Sequence, residues 1–531
     1  MRRGAGPLVP CLALCLTLLA AVLTACSGDD GDEPVRLRVL ASPDLAVLTP
    51  LLGELQQETG VDLRLDLRPD AETKAPDRDR YDLAWLSSDR YLRLTARSAV
   101  QGLQRTATMT SPVVIGLKPD AARKLRTEMP GGRLTWADIA DAAATGTVRF
   151  GMADPRQSAS GLAALVGVAT AAAGTGGVLR PGDVSCDRLR GFRSGQALTA
   201  DTSPDLVDTY VDHQDEANAL ITYESDLLAL NATDRLDDRL EVVRPEDGMV
   251  LADFPLLLLD ASHRAAYAKV TEWLQRDSVQ QEIMRRTLRR PVSTTVTRDP
   301  QLREPVGNAL YFPDQLTVIE TLLADYGDPD RRTASQVVFL LDFSGSMRGE
   351  RMTALRKAFA DLSGADSTAS GKFARFYRGE RLTVVRFGGR VLEERTVTVT
   401  GPKDLRTLAD IVARGGYGDS TAVWSALDHG YRTAARELAD DPDRAVSLVL
   451  MTDGENNAGL AYADFVRSHQ ALPAPVRTGV HTYPVHFGDA DAAELRRAAA
   501  QTGGRMVEAA DSSPSAPSSL SEAFKEIRGC H

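Results

Sequence analysis

Strand-like and helix-like patterns alternate along most of this 531-residue chain. A strand pattern at 35–42 is followed by an apolar helical stretch at 45–60, and a second strand pattern begins directly after Gly60; later strands are predicted within 218–230 and 249–260. This order favours α/β domains whose sheets are mainly parallel. A chain of this length exceeds what one hydrophobic core can organise, so we expect two or three domains.

The N-terminal residues have the pattern of an export signal. Arg2 and Arg3 precede an apolar run at 8–23, which is shorter than the ~20 residues that a membrane-spanning helix needs. The run ends in Leu-Thr-Ala-Cys at 23–26, which resembles the lipobox of bacterial lipoproteins. The resemblance implies that Cys26 carries lipid and holds the protein on the extracytoplasmic face of the cell membrane. A plain signal peptide and an uncleaved anchor are the alternatives.

Two further cysteines, Cys186 and Cys530, would remain in the mature chain. Disulfides persist in an export compartment, so these two thiols could form one bridge. Sequence alone does not show that they lie close enough, and two free thiols are an equal alternative.

The alternation is interrupted between about residues 300 and 334, where a predicted helix at 313–327 is followed by the polar sequence DPDRRTAS. That composition is typical of a boundary, and a new series of strands and helices begins at Gln336. The predicted division is a signal peptide at 1–25, a flexible acidic tether at 26–35, a first domain at 36–300, a connecting segment at 301–334 and a second domain at 335–531.

Three separate segments of the second domain lead into side chains that carry oxygen. The apolar strand pattern QVVFLLD ends at Asp342, and Ser344 and Ser346 follow at every second position; Thr421 opens a helix, and Asp453 follows another apolar strand. Loops at the carboxyl ends of parallel strands converge, so these side chains can meet there. Two carboxylates and three hydroxyls suit a small hard cation, Mg²⁺ first, with Mn²⁺ or Ca²⁺ as alternatives.

This set resembles the metal-ion-dependent adhesion site of von Willebrand factor A domains, whose pattern is Asp-x-Ser-x-Ser, a distant Thr and a distant Asp-Gly. The whole pattern is present, and the likeness covers residues 336 to about 530. It implies a doubly wound, Rossmann-like domain that binds a divalent metal and, through the metal, an acidic residue of a protein partner. A domain that has lost its metal is the alternative. The neighbouring Asp419, Ser420, Glu455 and Asn456 are interpreted as turn or solvated loop residues rather than ligands.

The first domain resembles the two-lobed extracellular solute-binding proteins of ABC importers. The sequences YDLAWLSS at 81–88, ADPRQSASG at 153–161 and DFPLLLLD at 253–260 carry the likeness, which covers roughly half of the chain. It implies a ligand held between two lobes by loops and helix N-termini, which suit a small polar or anionic solute. The residues at matching strand ends are Ser42, Ser87, Ser88, Ser111, Ser158, Ser160, Gly161 and Tyr223. The alternative is that these serines only cap helices.

Charge and motifs exclude other classes of protein. The net charge is −11 and no long Lys/Arg stripe offsets it, which argues against a nucleic-acid partner. The chain has no His-Glu-x-x-His, Gly-x-Ser-x-Gly or Walker A sequence. A metal hydrolase using Asp342 and Asp453 would need a general base that the sequence does not identify. We therefore expect a binding protein and not an enzyme.

The sequence thus predicts a membrane-anchored extracytoplasmic binding protein. Its second domain is expected to capture an acidic group of a protein partner through a metal ion, and its first domain to bind or sense a small solute. The alternative is the substrate-binding component of an ABC importer, with the von Willebrand factor A domain as an accessory.

Overall fold

The computed structural model describes residues 33–70, 72–128, 133–184, 188–328, 335–487, 491–509 and 520–529. The predicted lipidation site Cys26, the predicted disulfide partners Cys186 and Cys530, and the signal peptide lie outside these residues, so these features stay predictions. Within the described ranges, no helix combines the length and the apolar character needed to cross a membrane.

The first domain contains eleven strands and a larger set of helices. The strands are β1 (Val35–Ala41), β2 (Val61–Leu67), β3 (Leu83–Trp85), β4 (Arg105–Ala107), β5 (Ser111–Leu117), β6 (Phe150–Met152), β7 (Gln196–Leu198), β8 (Ala219–Tyr223), β9 (Glu241–Val243), β10 (Leu251–Ala252) and β11 (Pro255–Leu258). The helices are α1 (Leu52–Thr59), α2 (Arg90–Thr95), α3 (Arg97–Val100), α4 (Pro119–Glu128), α5 (Trp136–Ala144), α6 (Ala159–Ala173), α7 (Arg190–Arg193), α8 (Ser203–Asp212), α9 (Glu224–Asn231), α10 (Arg264–Gln275), α11 (Asp277–Thr287) and α12 (Leu316–Gly327). Short 3₁₀ helices lie at Pro43–Leu51, Pro181–Asp183, Ala261–His263 and Pro300–Leu302.

These strands form two sheets, one in each of two lobes. The sheet of lobe 1 has the order β2-β1-β3-β11-β4, and the sheet of lobe 2 has the order β10-β5-β8-β6-β7, with β9 also paired to β5. The predicted two-lobed α/β class is confirmed. The expectation of mainly parallel sheets is wrong for this domain, because β11 is antiparallel to β3 and β4, and β5 is antiparallel to β8, β9 and β10. The strand that enters each lobe from the other, β5 in lobe 2 and β11 in lobe 1, runs antiparallel to the strands beside it.

The two lobes are joined where β4 leads into β5 and where β10 leads into β11. At the second crossing, the buried residue Phe254 has a φ of 41°, a left-handed conformation that costs a non-glycine residue about 1–3 kcal/mol. Two contacts hold it there: the Thr108 hydroxyl donates to the Phe254 carbonyl at 2.7 Å, and the Arg289 guanidinium lies 4.1 Å from the ring centroid. The hinge between the lobes is therefore tightly packed.

The second domain is built on one six-stranded sheet. Its strands are β12 (Gln336–Asp342), β13 (Arg381–Phe387), β14 (Val391–Thr398), β15 (Val446–Thr452), β16 (His481–His486) and β17 (Val507–Glu508). Its helices are α13 (Glu350–Ala360), α14 (Ala369–Ala374), α15 (Pro402–Ala413), α16 (Val423–Asp440), α17 (Tyr462–Gln470), α18 (Ala474–Gly479), α19 (Ala492–Gln501) and α20 (Leu520–Gly529), with a 3₁₀ turn at Gly345–Met347 and a π-helical turn at Asp361–Ala365.

The sheet order is β14-β13-β12-β15-β16-β17, and all neighbours are parallel except β14, which forms a hairpin with β13. Helices cover both faces, which explains the continuous apolar run in β12. Phe339 and Leu341 face one core while Val338 and Leu340 face the other. The predicted doubly wound fold of this domain is confirmed.

The second domain contacts lobe 2 of the first domain through α14. Lys372 pairs with Asp138, and Arg375 NH1 lies 2.5 Å from an oxygen of Asp141; both aspartates lie on α5. The Arg378 N–H also donates to the last carbonyl of α5 at 2.7 Å. Helix α12 of the connecting segment packs into the core of the first domain, and the ion pairs hold the second domain beside lobe 2.

Candidate functional site

The five predicted metal ligands come together at the carboxyl edge of the six-stranded sheet. Asp342 is the last residue of β12, and Asp453 directly follows the neighbouring parallel strand β15. Ser344 and Ser346 lie in the turn after β12, and Thr421 lies just before α16. They converge because adjacent parallel strands end at the same edge.

Hydrogen bonds connect these ligands to one another. The Ser344 N–H donates to Asp342 Oδ1 at 2.7 Å, which curls the loop back over the strand end. Ser344 Oγ lies 2.9 Å from Ser346 Oγ, and the Ser346 hydroxyl donates to Asp453 Oδ1 at 2.8 Å. The two strand ends are thus joined through hydroxyl groups.

Gly454 lies beside the Thr421 hydroxyl and leaves room for it to approach the serine hydroxyls. A Cβ atom on Gly454 would lie 3.5 Å from Thr421 Oγ1 and 3.8 Å from Ser346 Oγ. The loop that carries Thr421 is held by Asn457, whose Oδ1 accepts the Thr421 N–H at 2.8 Å. The glycine of the Asp-Gly pair therefore leaves open the position between the two hydroxyls.

The charge of this site favours a cation. Asp342 is fully buried, and burial, with a smaller contribution from the nearby Asp453 carboxylate, raises its pKa to about 6. The Thr452 hydroxyl donates to Asp342 Oδ2 at 2.7 Å and partly offsets the free-energy cost of burying the charged carboxylate. A divalent ion beside two buried carboxylates would offset it more fully, and the oxygen-only donor set is the one that Mg²⁺ prefers. The residues present fit such an ion.

Arg351, on the first turn of α13, already supplies one positive charge. Its NH1 donates to Asp453 Oδ2 at 2.6 Å, and 23% of its side chain is exposed. This guanidinium occupies one carboxylate oxygen, whereas Asp453 Oδ1 faces Ser346. Asp453 therefore keeps one oxygen directed toward the other candidate ligands.

The rim of the site is open to solvent. Gly345, Ser346 and Arg348 are exposed on one side, and Glu455 is exposed on the other. The Arg348 guanidinium lies 4.9 Å from the ring centroid of Tyr417, which gives this rim an ordered positive charge. An incoming acidic group would meet a cationic rim on the serine side.

The predicted solute ligands lie in and around the cleft between the lobes of the first domain. In lobe 1, Ser42 Oγ lies 3.0 Å from Ser87 Oγ, and the Ser87 hydroxyl donates to Asp44 Oδ2 at 2.6 Å. In lobe 2, Ser160 Oγ lies 3.0 Å from Ser158 Oγ and 2.7 Å from Ser203 Oγ. The structure brings these serines together as two hydroxyl clusters, one in each lobe.

Two other predicted residues have packing roles in the structure. Ser111 Oγ accepts the Ser225 N–H at 3.2 Å, a contact within lobe 2. A Cβ on Gly161 would lie 2.1 Å from the Ala153 carbonyl oxygen, so the glycine allows α6 to approach the end of β6. Neither residue lines the small cavity between the lobes.

A small cavity of about 20 Å³ lies between the lobes, enough for about one water molecule. Its lining includes Ser88, Ser158, Tyr223 and Glu72. Glu72 comes from the loop between β2 and β3 and is buried. The predicted Ser88, Ser158 and Tyr223 thus share one cavity with a glutamate that the sequence did not indicate.

Residues 37–286 match the family model of bacterial extracellular solute-binding proteins, and residues 336–522 match that of the von Willebrand factor type A domain. The chain is a fusion of these two kinds of domain. Both are typically non-catalytic binding modules. The first domain is thus the solute-binding domain and the second is the von Willebrand domain.

Comparison with individual proteins gives remote likenesses. Over 149 residues the chain is 30% identical to the uncharacterized protein sll0103 of Synechocystis sp. (strain ATCC 27184 / PCC 6803 / Kazusa), covering 27% of this chain and 30% of that protein's length. The structure of a periplasmic thiamin binding protein is 10% identical, with a TM-score of 0.43, over 56% of this chain and 96% of that one. A von Willebrand factor type A protein from Catenulispora acidiphila is 19% identical, with a TM-score of 0.29, over 37% and 42% of the two chains.

Buried carboxylates cluster around the cleft. Burial, followed by the nearby Asp44 charge, raises the pKa of Glu72 to about 7, and burial also raises the pKa of Asp44 itself and brings the pKa of Asp226 to about 6. Arg289 is the cation of this cluster, and burial lowers its pKa. The Tyr223 hydroxyl, whose pKa burial raises, lies close enough to Asp44 and Glu72 for their charges to raise its pKa further.

We expect Glu72 to make the protein less stable as the pH rises. A carboxyl group whose pKa rises from 4.5 to about 7 on folding binds protons more tightly in the folded state, so its stabilising effect is lost between those two values. Relative to Glu72→Gln, the wild-type free energy of unfolding should fall by on the order of 2 kcal/mol between pH 5.5 and 8. Urea unfolding of both proteins in EDTA measures this difference, and parallel pH profiles would contradict it.

Several residues of these two sites were not identified from the sequence. Asp44 could have been identified from the sequence, because it follows the strand end in Ser-Pro-Asp. Arg351, Asn457, Glu72 and Arg289 gave no signal, because each acts through a contact with a residue distant in the chain or lies in an ordinary charged stretch.

Proposed function

We propose that this protein is a membrane-anchored extracytoplasmic binding protein with two binding functions. The von Willebrand domain binds a divalent metal, Mg²⁺ or else Mn²⁺ or Ca²⁺, and through it an acidic group of a protein partner. The solute-binding domain binds or senses a small polar or anionic solute. Lipid on Cys26 anchors the chain, and the division at 36–300 and 335–531 separates the two functions.

The observation that carries the metal proposal is the convergence of five oxygen-bearing side chains on one edge of the sheet. Asp342, Ser344, Ser346, Thr421 and Asp453 would hold the ion. Two of them are carboxylates, so the ion's charge is not over-neutralised and a further anionic ligand is favourable. When bound, the ion supplies a Lewis-acidic position for that ligand.

The chain's own residues would then guide the partner. Ser346 is exposed, so the ion's open side faces solvent. Arg348 lies on the same rim, and its charge would attract an acidic side chain and steer it toward the site. Arg351 holds Asp453 through one oxygen and leaves the other directed toward the metal position.

Bound Mn²⁺ offers a direct test of the open position. Water on protein-bound Mn²⁺ speeds proton relaxation, and a carboxylate that takes a coordination position displaces that water. We expect the relaxation rate of the Mn²⁺-loaded protein to fall when a short peptide containing Glu is added. The measurement is a titration followed by the water proton relaxation rate.

The matched control is the same peptide with Gln in place of Glu. It should leave the relaxation rate unchanged, because a neutral amide is a weaker ligand for a hard cation. Equal effects of the two peptides, or no effect of either, would contradict capture of an acidic group.

The match of residues 37–286 to solute-binding proteins also supports the second candidate, a substrate-binding component of an ABC importer. In that case the solute-binding domain would release its solute to a permease, and the von Willebrand domain would be an accessory. Uptake of a bound solute that requires this protein would favour the importer. Partner capture that requires the metal would favour the first proposal.

A further inference from the structure

The carboxylate of Glu72 spans the cleft between the two lobes. Its Oε1 accepts the Ser87 N–H at 2.5 Å and the Ser88 N–H at 3.2 Å, both just after β3 in lobe 1. Its Oε2 accepts the Ala159 N–H at 3.2 Å, at the first residue of α6 in lobe 2. One side chain therefore holds backbone donors of both lobes.

The donors around Glu72 form an anion site. Helix α6 has 15 residues, and the N–H groups of its first turn carry the positive end of the helix dipole. Among the described residues, no lysine or arginine forms an ion pair with Glu72. The carboxylate is held by backbone N–H groups of both lobes, with the Ser87 side chain beside them, which is how such a site would hold the carboxylate of a free solute.

Two further observations support a ligand site at this position rather than a filled core. The Tyr223 hydroxyl is fully buried, lines the same cavity and has no hydrogen-bond partner among the described residues. The cavity of about 20 Å³ beside Glu72 has no room for a solute while Glu72 is in place. A buried polar group without a partner is costly, so the site is incomplete in this state.

We propose that Glu72 is an intramolecular ligand of the solute-binding domain, and that a solute carrying a carboxylate binds there only by displacing the Glu72 carboxylate. The proposal rests on the proposed solute-binding function and names both the ligand class and the competitor. The Glu72 carboxylate would then hold the two lobes together in the absence of a solute.

Glu72 competes with a free solute because it belongs to the same chain as the site. A group on the same chain reaches the site at an effective concentration that a free ligand must exceed. The loop between β2 and β3 is part of lobe 1, so Glu72 needs to bridge only to α6. In wild-type protein a small free carboxylate should therefore bind weakly, and removal of Glu72 should expose the donors.

The test is replacement of Glu72 by Ala in the full chain, followed by addition of acetate. The variant vacates the carboxylate position, and acetate fits the space that the side chain leaves. We expect hydrogen exchange at residues 159–162 to be faster in Glu72→Ala than in wild type, and acetate to restore the protection. By calorimetry, acetate should bind Glu72→Ala at least about tenfold more tightly than wild type.

Two control variants keep the result interpretable. Asp70→Ala changes a carboxylate of the same loop that pairs with Lys74, and it should leave exchange at 159–162 unchanged. Glu72→Gln fills the same space but replaces one acceptor oxygen by an NH2 group that cannot accept a hydrogen bond. Exchange at 159–162 should therefore be faster than in wild type, and acetate should have no effect because the space stays filled. If Glu72→Ala does not fold, faster exchange in Glu72→Gln still supports the proposal and wild-type protection in it overturns the proposal.

Protection at 159–162 that is unchanged in Glu72→Ala, or a folded variant that ignores acetate, would overturn the role of Glu72. Equal binding of carboxylate solutes by wild type and Glu72→Ala would also overturn it while leaving the solute-binding function intact. A separate solute screen on the wild-type protein tests that function, so the two failures are distinguishable.

Discussion

Replacing Asp342 by Ala should reduce Mg²⁺ and Mn²⁺ binding by the full chain by more than about 100-fold, since changes to groups that only support metal ligands already cost 10- to 100-fold. Asp342 is one of two carboxylates at the site, and the three hydroxyls alone carry no charge to hold a divalent ion. Titration calorimetry of wild type and variant measures the loss. The variant should remain folded, because removing a buried carboxylate whose pKa is raised removes a cost of folding.

Asp419→Asn is the control for this variant. Asp419 lies two residues before Thr421 but is exposed, and an exposed charge is screened by salt. We expect its affinity for Mg²⁺ to stay within about threefold of wild type. Metal binding that survives Asp342→Ala, or that is lost equally in both variants, would contradict the proposed ligand set.

The second large effect is expected at the buried ion pair between Arg290 and Glu224. The two side chains are 2% and 0% exposed, and they form two hydrogen bonds of 2.6 and 2.9 Å. Arg290→Ala removes one of the two cations that pair with the buried Glu224, since Arg244 NH2 stays 2.6 Å from it. It also removes the donors to the Leu302 and Glu304 carbonyls, and together these losses cost about 3 kcal/mol. The melting temperature of the solute-binding domain should therefore fall by roughly 10 °C. Thermal unfolding followed by circular dichroism measures the shift.

Arg285→Ala provides the comparison on the preceding helix. Arg285 also pairs with a glutamate, Glu282, but 67% of its side chain is exposed. Exposed pairs contribute little, so the free energy of unfolding should change by less than about 1 kcal/mol. Similar losses in the two variants would show that the Arg290 pair is not the stabilising contact. Arg290 also exchanges backbone hydrogen bonds with Thr110 at the lobe crossing, and these remain in Arg290→Ala because alanine keeps the backbone N–H and carbonyl.

Much of the fold could be predicted because local patterns agreed with the tertiary arrangement. The apolar runs of β12 and β15 are buried on both faces, and the hairpin of β13 and β14 turns at a Gly-Gly pair. The strand predicted within 218–230 was only partly right: β8 ends at Tyr223, and Glu224 begins helix α9. The pattern was ambiguous because this helix is buried along most of its length and lacks a clear polar face.

The segment at 249–260 shows a different limit of strand prediction from sequence. It was predicted as strand, and the structure divides it into β10 in lobe 2 and β11 in lobe 1, separated by Phe254 in a left-handed conformation. Nothing in an apolar run indicates that the chain changes lobes within it. Contacts with Thr108 and Arg289, distant in the chain, stabilise that bend.

By itself, the sequence determined the two-domain α/β organisation and which side chains are candidate metal ligands, because strand ends and their polar residues are local features. Only the tertiary structure decided which charges accompany them. Arg351 lies against Asp453 across 102 residues, and Glu72 bridges to Ala159 across 87. Each contact depends on how separate elements pack, and burial then sets the free-energy cost of each charge. Neither the packing nor the burial can be predicted from a local sequence pattern.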